Sequence, residues 1–276
     1  PNGGATAVNY HATIHSKGHT DLGGTEDNYS LITDVGSGWQ DIGTHSYATQ
    51  TYSGTAVSAK RQYLTSFGSY ILGYSSSDLY NPPAITTELR NKGSYFKVHN
   101  DATATFSNSS TELNNSDNGF LKIVQDGTVV AEGDVNNLSS SSIQIDGLFQ
   151  VKSDWTNDAT ASLELSGGPN GEVEFSGSAN QNIGGSTSTV FEKLSINNAS
   201  GVTLTSNQEV SDTLSFTDGI ITTGANRLDI TTTVDGMVGY GDGKYVVGNF
   251  RRYVSPGIDY ILPIGTAANF ELAGIY

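Results

Sequence analysis

The sequence predicts an all-β protein in which a parallel β-helix or solenoid rod is flanked by antiparallel β-sandwich segments. Threonine, valine and isoleucine are abundant, and these residues favour strands. Strong helix formers are few, with a single methionine in 276 residues. The 33 glycines, together with many serines, asparagines and aspartates, indicate frequent turns. Short strands separated by such turns recur through the middle of the chain, which is typical of a solenoid.

Residues 1–80 alternate apolar and polar side chains over several stretches, broken by Gly-Gly and Gly-Ser-Gly turns. Strands of this kind predict an antiparallel β-sandwich. The pair Pro82-Pro83 then prevents both ladder pairing and helix formation. We therefore expect a linker over residues 81–94.

From residue 95 to residue 233 the pattern changes to short strands separated by turns, which predicts the solenoid. Their turns carry dipeptides such as Asp126-Gly127, Asp146-Gly147 and Asp218-Gly219. No helical pattern lies between the predicted strands, so each strand must bury its apolar side on the next turn of the rod. The predicted strands are 103–106, 120–124, 128–135, 143–145, 148–151, 163–165, 173–175, 191–196, 202–205, 213–216, 219–222 and 227–230.

Asparagine pairs occur at 114–115, 136–137 and 197–198, separated by 22 and then 61 residues. The second gap is close to three times 20. One interpretation is that turn asparagines stack in rungs of about 20 residues. The other is that asparagine-rich turns recur because the composition is rich in asparagine. The spacing leaves both interpretations open.

Several motifs between residues 175 and 276 resemble a repeat found in very large surface proteins of Bacteroidota. They are Gln181-Asn182-Ile183 with a glycine pair, Phe191-x-x-Leu194-x-Ile196, Gly201-Val202-x-Leu204, Leu214-x-Phe216-x-x-Gly219-Ile220, Val247-Gly248-Asn249-Phe250-Arg251-Arg252 and Leu262-Pro263-Ile264-Gly265-Thr266. The resemblance implies export by the type IX secretion system and a role as an adhesin, gliding factor or appendage component. It covers residues 170–276 well and the first 170 weakly.

The resemblance also implies how the flanking segments belong together. Its Leu262-to-Thr266 motif opens a β-sandwich, which later ends in a strand such as the one that follows Thr65-Ser66-Phe67. Residues 234–276 are then the start of a sandwich, and residues 1–80 supply its later strands. We expect the chain to be one unit of a tandem array or fibre, such as a grappling-hook-type filament, with each sandwich completed by the next repeat.

The charge is strongly negative and concentrated in the middle of the chain. The formal net charge is −15. Residues 98–226 carry three basic and sixteen acidic side chains. A surface of this sign repels phosphate backbones, so we expect no nucleic-acid partner.

No apolar run approaches the roughly 18 residues of a membrane span. With no cysteine, the chain has no disulfide and no thiolate metal site.

Two weak candidate metal sites stand out. His11 and His15 share one face of a predicted strand, and His19 follows four residues later. Oxygen-rich turns of solenoids bind Ca²⁺, for which Asp126, Glu132 and Asp134 are the candidates. The stretch 114–119 loosely evokes a calcium loop but lacks the closing acidic residue. We expect these side chains to be ordinary polar groups on the surface and no cofactor to be bound, with Ca²⁺ as the alternative.

No catalytic constellation is expected. Glu164, Glu172 and Glu174 form the densest carboxylate cluster, but Glu172 and Glu174 alternate with apolar residues and therefore lie on the outer face of one strand. No nucleophile elbow, phosphate loop or dinucleotide fingerprint occurs. The pair Arg251-Arg252 either covers a sandwich edge or binds an anionic ligand.

The sequence therefore predicts a non-enzymatic structural or adhesive module that is extracellular or on the cell surface. Its expected partners are neighbouring copies of itself, and also glycans or the surface of a prey or host cell. The first alternative is a carbohydrate-binding module, which needs exposed aromatic residues. The second is a β-helix polysaccharide lyase or hydrolase. The aromatic candidates for sugar binding are Tyr70, Tyr74, Tyr80, Trp39 and Tyr47.

Overall fold

The structure is a computed structural model of the chain. It describes residues 10–17, 29–34, 39–40, 44–45, 51–53, 56–64, 69–74, 89–92, 95–98, 102–107, 112–159 and 171–276. These residues form strands and turns, and the predicted all-β class is confirmed. The described part of the chain holds no helix of the length and apolarity that crossing a membrane requires.

The described residues before position 80 form antiparallel strands. The strands are β1 (Tyr10–Lys17), β2 (Tyr29–Asp34), β3 (Trp39–Gln40), β4 (Thr44–His45), β5 (Thr51–Ser53), β6 (Ala56–Leu64) and β7 (Ser69–Tyr74). Strand β6 pairs with β1, β4 and β5, whereas β2 pairs with β3 and β7. The two sheets touch where the buried Arg61 donates from Nη1 to the carbonyl of Leu31 at 2.8 Å.

The next strands build a parallel solenoid with three strands in each of its first turns. They are β8 (Leu89–Lys92), β9 (Tyr95–Val98), β10 (Thr103–Phe106), β11 (Leu113–Ser116), β12 (Phe120–Ile123), β13 (Thr128–Ala131), β14 (Val135–Ser139), β15 (Ser142–Ile145), β16 (Leu148–Val151) and β17 (Trp155–Ala159). Three ladders run along the rod: face 1 through β8, β11, β14 and β17, face 2 through β9, β12 and β15, and face 3 through β10, β13 and β16.

The later turns continue the stack with longer, bent strands. They are β18 (Glu172–Phe175), β19 (Gln181–Gly184), β20 (Val190–Asn197), β21 (Val202–Leu204), β22 (Gln208–Asp218), β23 (Ile221–Ile230), β24 (Met237–Val238), β25 (Val246–Arg252), β26 (Tyr260–Gly265) and β27 (Phe270–Ile275). Bulges allow β20, β22, β23 and β25 each to serve two ladders, because an extra residue bends the strand around a corner. The predicted parallel solenoid is confirmed, with about seven turns.

Stacked apolar columns form the core. Burial alternates along each short strand, so that every second side chain points inward. One column on face 1 runs from Leu89 through Leu113 and Val135 to Trp155, all buried. Because each strand buries only two side chains, no single turn has a core of its own, and stability comes from stacking on neighbours.

The glycine turns predicted from sequence lie at corners of the rod. Gly219 follows β22 with φ of +88°, a conformation that L side chains rarely adopt. A Cβ atom at this position would also collide with the carbonyl oxygen of Asn198 in the preceding turn. Glycine therefore allows two successive turns to approach each other closely.

The parallel ladders extend beyond both expected boundaries of the solenoid. Strand β8 lies inside the expected 81–94 linker but pairs with β11. Beyond residue 233, β24 pairs with β22, β25 with β23, and β26 with β25, all parallel. Only β27 turns back antiparallel, on β26. Parallel pairing therefore continues past the change of composition at residue 233, as far as β26.

The solenoid also joins the N-terminal strands directly. Gln40 of β3 pairs parallel with Arg90 of β8, so one antiparallel sheet continues into face 1. The strands β2, β3 and β8 thus form an unbroken hydrogen-bonded surface. The remaining residues of the expected linker lie outside the described part of the chain.

Candidate functional site

A ladder of buried asparagines runs along face 1. Asn91, Asn115, Asn137 and Asn157 each occupy the third position of their strands, and all four are buried. Each Nδ2 donates to the Oδ1 of the next, at 2.8, 2.9 and 3.1 Å. A chain of amides that satisfies itself in this way ties four successive turns together in one register.

The structure confirms stacking for two of the three asparagine pairs. Asn114 and Asn115 lie in register with Asn136 and Asn137. They are, however, strand residues and not turn residues, since β11 and β14 contain them. The third pair does not join the ladder. Asn198 sits at a corner after β20, where its Nδ2 donates to Gln181 Oε1 at 2.9 Å.

The residues proposed for calcium do not converge. The Oδ1 of Asp134 accepts hydrogen bonds from Ser153 Oγ at 2.5 Å and from the backbone N–H of Asp154 at 3.1 Å, so this carboxylate orders a corner. Asp126 forms the β12–β13 turn with φ of +64°. Glu132 follows β13. Within the ranges that the structure describes, no group of three or more His, Cys, Asp or Glu side chains could hold a metal ion.

The histidines lie apart from the rod. His11 and His15 share the exposed face of β1, as their spacing predicted. The ring of His11 packs edge-on against Tyr63, with centroids 5.8 Å apart. His19 lies outside the described residues.

The glutamates of β18 point outward, as predicted. The burial pattern of the strand places Glu172 and Glu174 on the half-buried outer side of face 3. Glu172 lies in register with Lys193, and Glu174 accepts a hydrogen bond from Gln150 at 3.0 Å. Glu164 lies outside the described residues. Glu172 therefore lies opposite a lysine on the next strand, and Glu174 has a hydrogen-bond donor.

A second group of carboxylates meets at the corner between faces 2 and 3. Burial raises the pKa of Glu192, and this outweighs the opposing charge of Lys193, with Asp212 and Asp146 raising the pKa further. Asp146 also lies 3.5 Å from Lys122 Nζ. Glu192 and Asp212 lie at strand bulges, where the pairing of the strands shifts by a residue. Their proximity could therefore not be predicted from the spacing of residues along the sequence.

Among the aromatic candidates for sugar binding, the structure describes the side chain of Tyr70. Its hydroxyl makes a short hydrogen bond with the hydroxyl of Tyr10. Burial, followed by this hydrogen bond, raises the pKa of Tyr70 above its usual range. Tyr70 is half-buried. Tyr47 and Tyr80, and the side chains of Trp39 and Tyr74, lie outside the described part.

Two adjacent arginines at the end of the rod have opposite environments. Arg252 points inward below Ile230, and its side chain has 0% exposure. It donates to the carbonyl of Val234 at 2.7 Å and lies over the ring of Tyr260 at 4.6 Å. Arg252 therefore closes the end of the core, whereas Arg251 points outward. From the sequence, one role was expected for the pair. Because successive side chains along β25 point to opposite sides of the strand, Arg251 faces solvent and Arg252 faces the core.

Arg251 belongs to a charged cluster on the outer surface of β23 and β25. Asp229, only 6% exposed, accepts from Arg227 Nε at 2.6 Å and Nη2 at 3.0 Å, and from Arg251 Nη2 at 2.6 Å. Burial alone would raise the pKa of Asp229, but the two guanidinium groups outweigh burial and hold its pKa below the usual range. One ionised carboxylate thus fixes the positions of two cations.

An open depression of about 570 Å³ adjoins this cluster at the corner between faces 1 and 2. We call it the polar groove. Three successive turns contribute its sides. Between Gly224 and Arg227, β23 has two more residues than the paired part of β25, and this bulge forms one side of the groove. The lining residues are Asn207, Ala225, Arg227, Gly248, Asn249 and Phe250.

Apolar side chains are exposed mainly at the same end of the rod. Of the nine large apolar residues that are exposed in the described ranges, eight lie beyond residue 233. They are Val234, Val238, Tyr253, Val254, Ile258, Leu272, Ile275 and Tyr276. We call this set the C-terminal apolar surface. Exposed apolar groups concentrated in one region are typical of a contact surface.

Comparisons with known proteins add no identification. No protein-family model matches the chain, and neither the curated proteins nor the solved structures include a significant match.

Proposed function

We propose that this chain is a structural and adhesive module of a secreted bacterial surface protein or extracellular appendage. The observation that supports this most directly is the parallel stack of about seven turns. Parallel ladders and stacked apolar columns tie every turn to the next, and such a body resists bending better than domains joined by flexible linkers. A rod of this kind provides reach and spacing between contact points.

The extracellular setting is proposed on the resemblance to Bacteroidota surface repeats and on the composition. A disulfide-free, strongly acidic rod with polar outer faces stays soluble and resists non-specific aggregation. Export by the type IX secretion system and a flanking β-sandwich belong to the same proposal. So does a place in a tandem array or a grappling-hook-type filament.

The C-terminal end of the rod supports contact between neighbouring units. Strand β27 pairs with β26 on one side. Among the described residues, β26 is the strand that pairs with β27, and no pairing involves the other edge of β27. Leu272 and Ile275 of β27 are exposed, beside the other members of the C-terminal apolar surface. An exposed apolar edge strand is a template for pairing with another chain, and a neighbouring copy is the proposed occupant.

Self-association is tested by analytical ultracentrifugation over a range of protein concentrations. We expect the mass to rise above the 29.1 kDa of one chain, and the double substitution Leu272→Glu with Ile275→Glu to hold it at that value. The control is the double substitution Ser188→Glu with Thr217→Glu, which adds the same two negative charges at exposed positions outside the C-terminal apolar surface. A wild-type chain that stays monomeric at every concentration, or a double variant that assembles unchanged, contradicts the proposal.

A further inference from the structure

We propose that the polar groove and the Arg227–Asp229–Arg251 cluster beside it form a binding site for the carboxylate groups of an acidic polysaccharide. This inference names a ligand class for the adhesive part of the proposed function. It does not require self-association, because Leu272 and Ile275, the residues changed to test self-association, belong neither to the groove nor to the cluster. Tyr253 is the member of the C-terminal apolar surface that contacts Arg251.

The cluster presents cationic donors that are held in place. Asp229 uses both carboxylate oxygens to bind the two guanidinium groups, but a guanidinium has five N–H donors and these contacts use only some of them. The side chains of Arg227 and Arg251 remain 41% and 47% exposed. Arg251 also lies 5.3 Å from the ring centre of Tyr253, which restricts its motion.

The arrangement of the charges around the cluster, and not their sum, favours an anion, because Arg227 lines the groove and neither neighbouring carboxylate does. Two guanidinium groups face one buried carboxylate. The nearest further carboxylate in register is Glu209, which lies across Asp229 from Arg251 and accepts from the hydroxyl of Thr231 at 3.0 Å. A ligand carboxylate arriving from the groove side meets Arg227 before either acidic residue. Bidentate pairing of guanidinium with carboxylate then adds directional hydrogen bonds.

The groove itself offers uncommitted hydrogen-bonding groups. Asn207 accepts from the backbone N–H of Arg227 through Oδ1, and Asn249 donates through Nδ2 to the carbonyls of Gly224 and Asn226. Within the described residues, Asn207 Nδ2 and Asn249 Oδ1 have no protein partner. One donor and one acceptor therefore face the groove on either side of Arg227.

The lining favours a sugar over an apolar peptide. The groove is lined by two amides, Arg227, Ala225 and backbone, whereas the ring of Phe250 packs against the core in register with Leu228. A polyhydroxylated ligand can use the amides while its carboxylate reaches the arginines. An apolar peptide would find little surface to bury. The combination of two free amide groups and two cations matches the hydroxyl and carboxylate groups of a uronic acid unit.

Affinity electrophoresis of the full chain tests the proposal, with polygalacturonate as the probe. We expect polygalacturonate in the gel to retard the protein, neutral dextran to have no effect, and retardation to weaken with added NaCl. The substitution Arg251→Gln should weaken binding about tenfold or more, since it removes a charged hydrogen-bond donor. Lys152→Gln is the matched control, because it removes one positive charge from face 3 at a distance from the groove.

A second variant separates lost binding from lost folding. Asn207→Asp keeps the oxygen that accepts from Arg227 but replaces the free donor with a negative charge. It should abolish retardation while the thermal midpoint remains that of the wild type. Equal retardation of wild type, Arg251→Gln and Asn207→Asp overturns the proposal.

Two further probes decide the ligand class. Dextran sulfate carries sulfate in place of carboxylate, and polyglutamate carries carboxylates on a peptide. Weaker binding of both than of polygalacturonate supports a uronate site, and stronger binding of either one overturns it. Repeating the measurement on the Leu272→Glu, Ile275→Glu variant distinguishes failure of this site from failure of self-association.

Discussion

The side-chain amides of the asparagine ladder stabilise the contacts between the first turns of the rod. Asn137 occupies the middle of the asparagine ladder, donating to Asn157 and accepting from Asn115 and from the hydroxyl of Ser141. All of these groups are buried away from water. Removing one amide leaves several polar partners unsatisfied at once, which costs more than the loss of one exposed hydrogen bond.

Asn137→Ala should therefore lower the free energy of unfolding by about 2–3 kcal/mol. The matched control is Asn136→Ala, one residue earlier in β14. Its side chain is only half-buried and donates to Asn114 on the outer surface, so the expected loss is below about 1 kcal/mol. Chemical denaturation followed by circular dichroism measures both. Similar losses for the two variants would show that the ladder contributes nothing beyond an ordinary surface contact.

The asparagines also show the limit of reasoning from residue type. Asparagine disfavours strands and favours turns, so the sequence predicts that the pairs 114–115 and 136–137 lie in turns. In the rod the same side chains are satisfied by identical neighbours one turn away. That compensation needs a parallel partner strand in register, which the local sequence does not contain.

At the scale of strands and corners, close approach of successive turns depends on specific glycines. Gly219 and Gly224 both have positive φ, of +88° and +58°. A side chain at Gly219 would collide with the backbone of Asn198, whereas a Cβ at Gly224 would meet nothing within 4 Å. A side chain would therefore strain the backbone at both positions, but only at Gly219 would it also lack space.

Gly224→Ala should lower the free energy of unfolding by about 1 kcal/mol, as expected for a left-handed backbone alone. Gly219→Ala should lose about 2 kcal/mol or more, because the turn above must also move. Thermal and denaturant unfolding of the two variants gives the comparison. The assignment of Gly219 to a tight contact is wrong if both substitutions destabilise equally.

The apolar strands were predicted more accurately than the polar ones. The predicted strands 103–106 and 148–151 match β10 and β16 in full. Face 1, by contrast, was largely missed, including β11, β17 and β19. Alternating apolar residues identify a strand locally, but face 1 combines one inward apolar residue with an inward amide and therefore lacks that alternation.

For the whole molecule, the dominant electrostatic feature is the net charge of −15. Most of it lies on the solenoid, where successive turns place like charges near one another, as at Glu192, Asp212 and Asp146. Repulsion of this kind weakens as added salt screens exposed charges.

Raising NaCl from low to physiological concentration should therefore raise the thermal midpoint by about 2–4 °C, equivalent to about 1 kcal/mol for a chain of this size. CaCl₂ and MgCl₂ at equal concentration should act alike, because screening does not distinguish them. Differential scanning calorimetry makes both comparisons. A larger shift with CaCl₂ than with MgCl₂ would establish a specific Ca²⁺ site and contradict the expectation that no cofactor is bound.

The sequence alone determined the all-β class, the parallel solenoid and the location of its negative charge, because composition, short apolar strands and turn glycines are local properties. Only the tertiary structure decided where the stack ends, which asparagines share a ladder, and that Arg251 faces solvent while Arg252 is buried. It also brought together Arg227, Asp229 and Arg251 beside the polar groove. These relations depend on the register between turns about 20 residues apart, and that register is set by stacking and by bulges, which no single strand specifies.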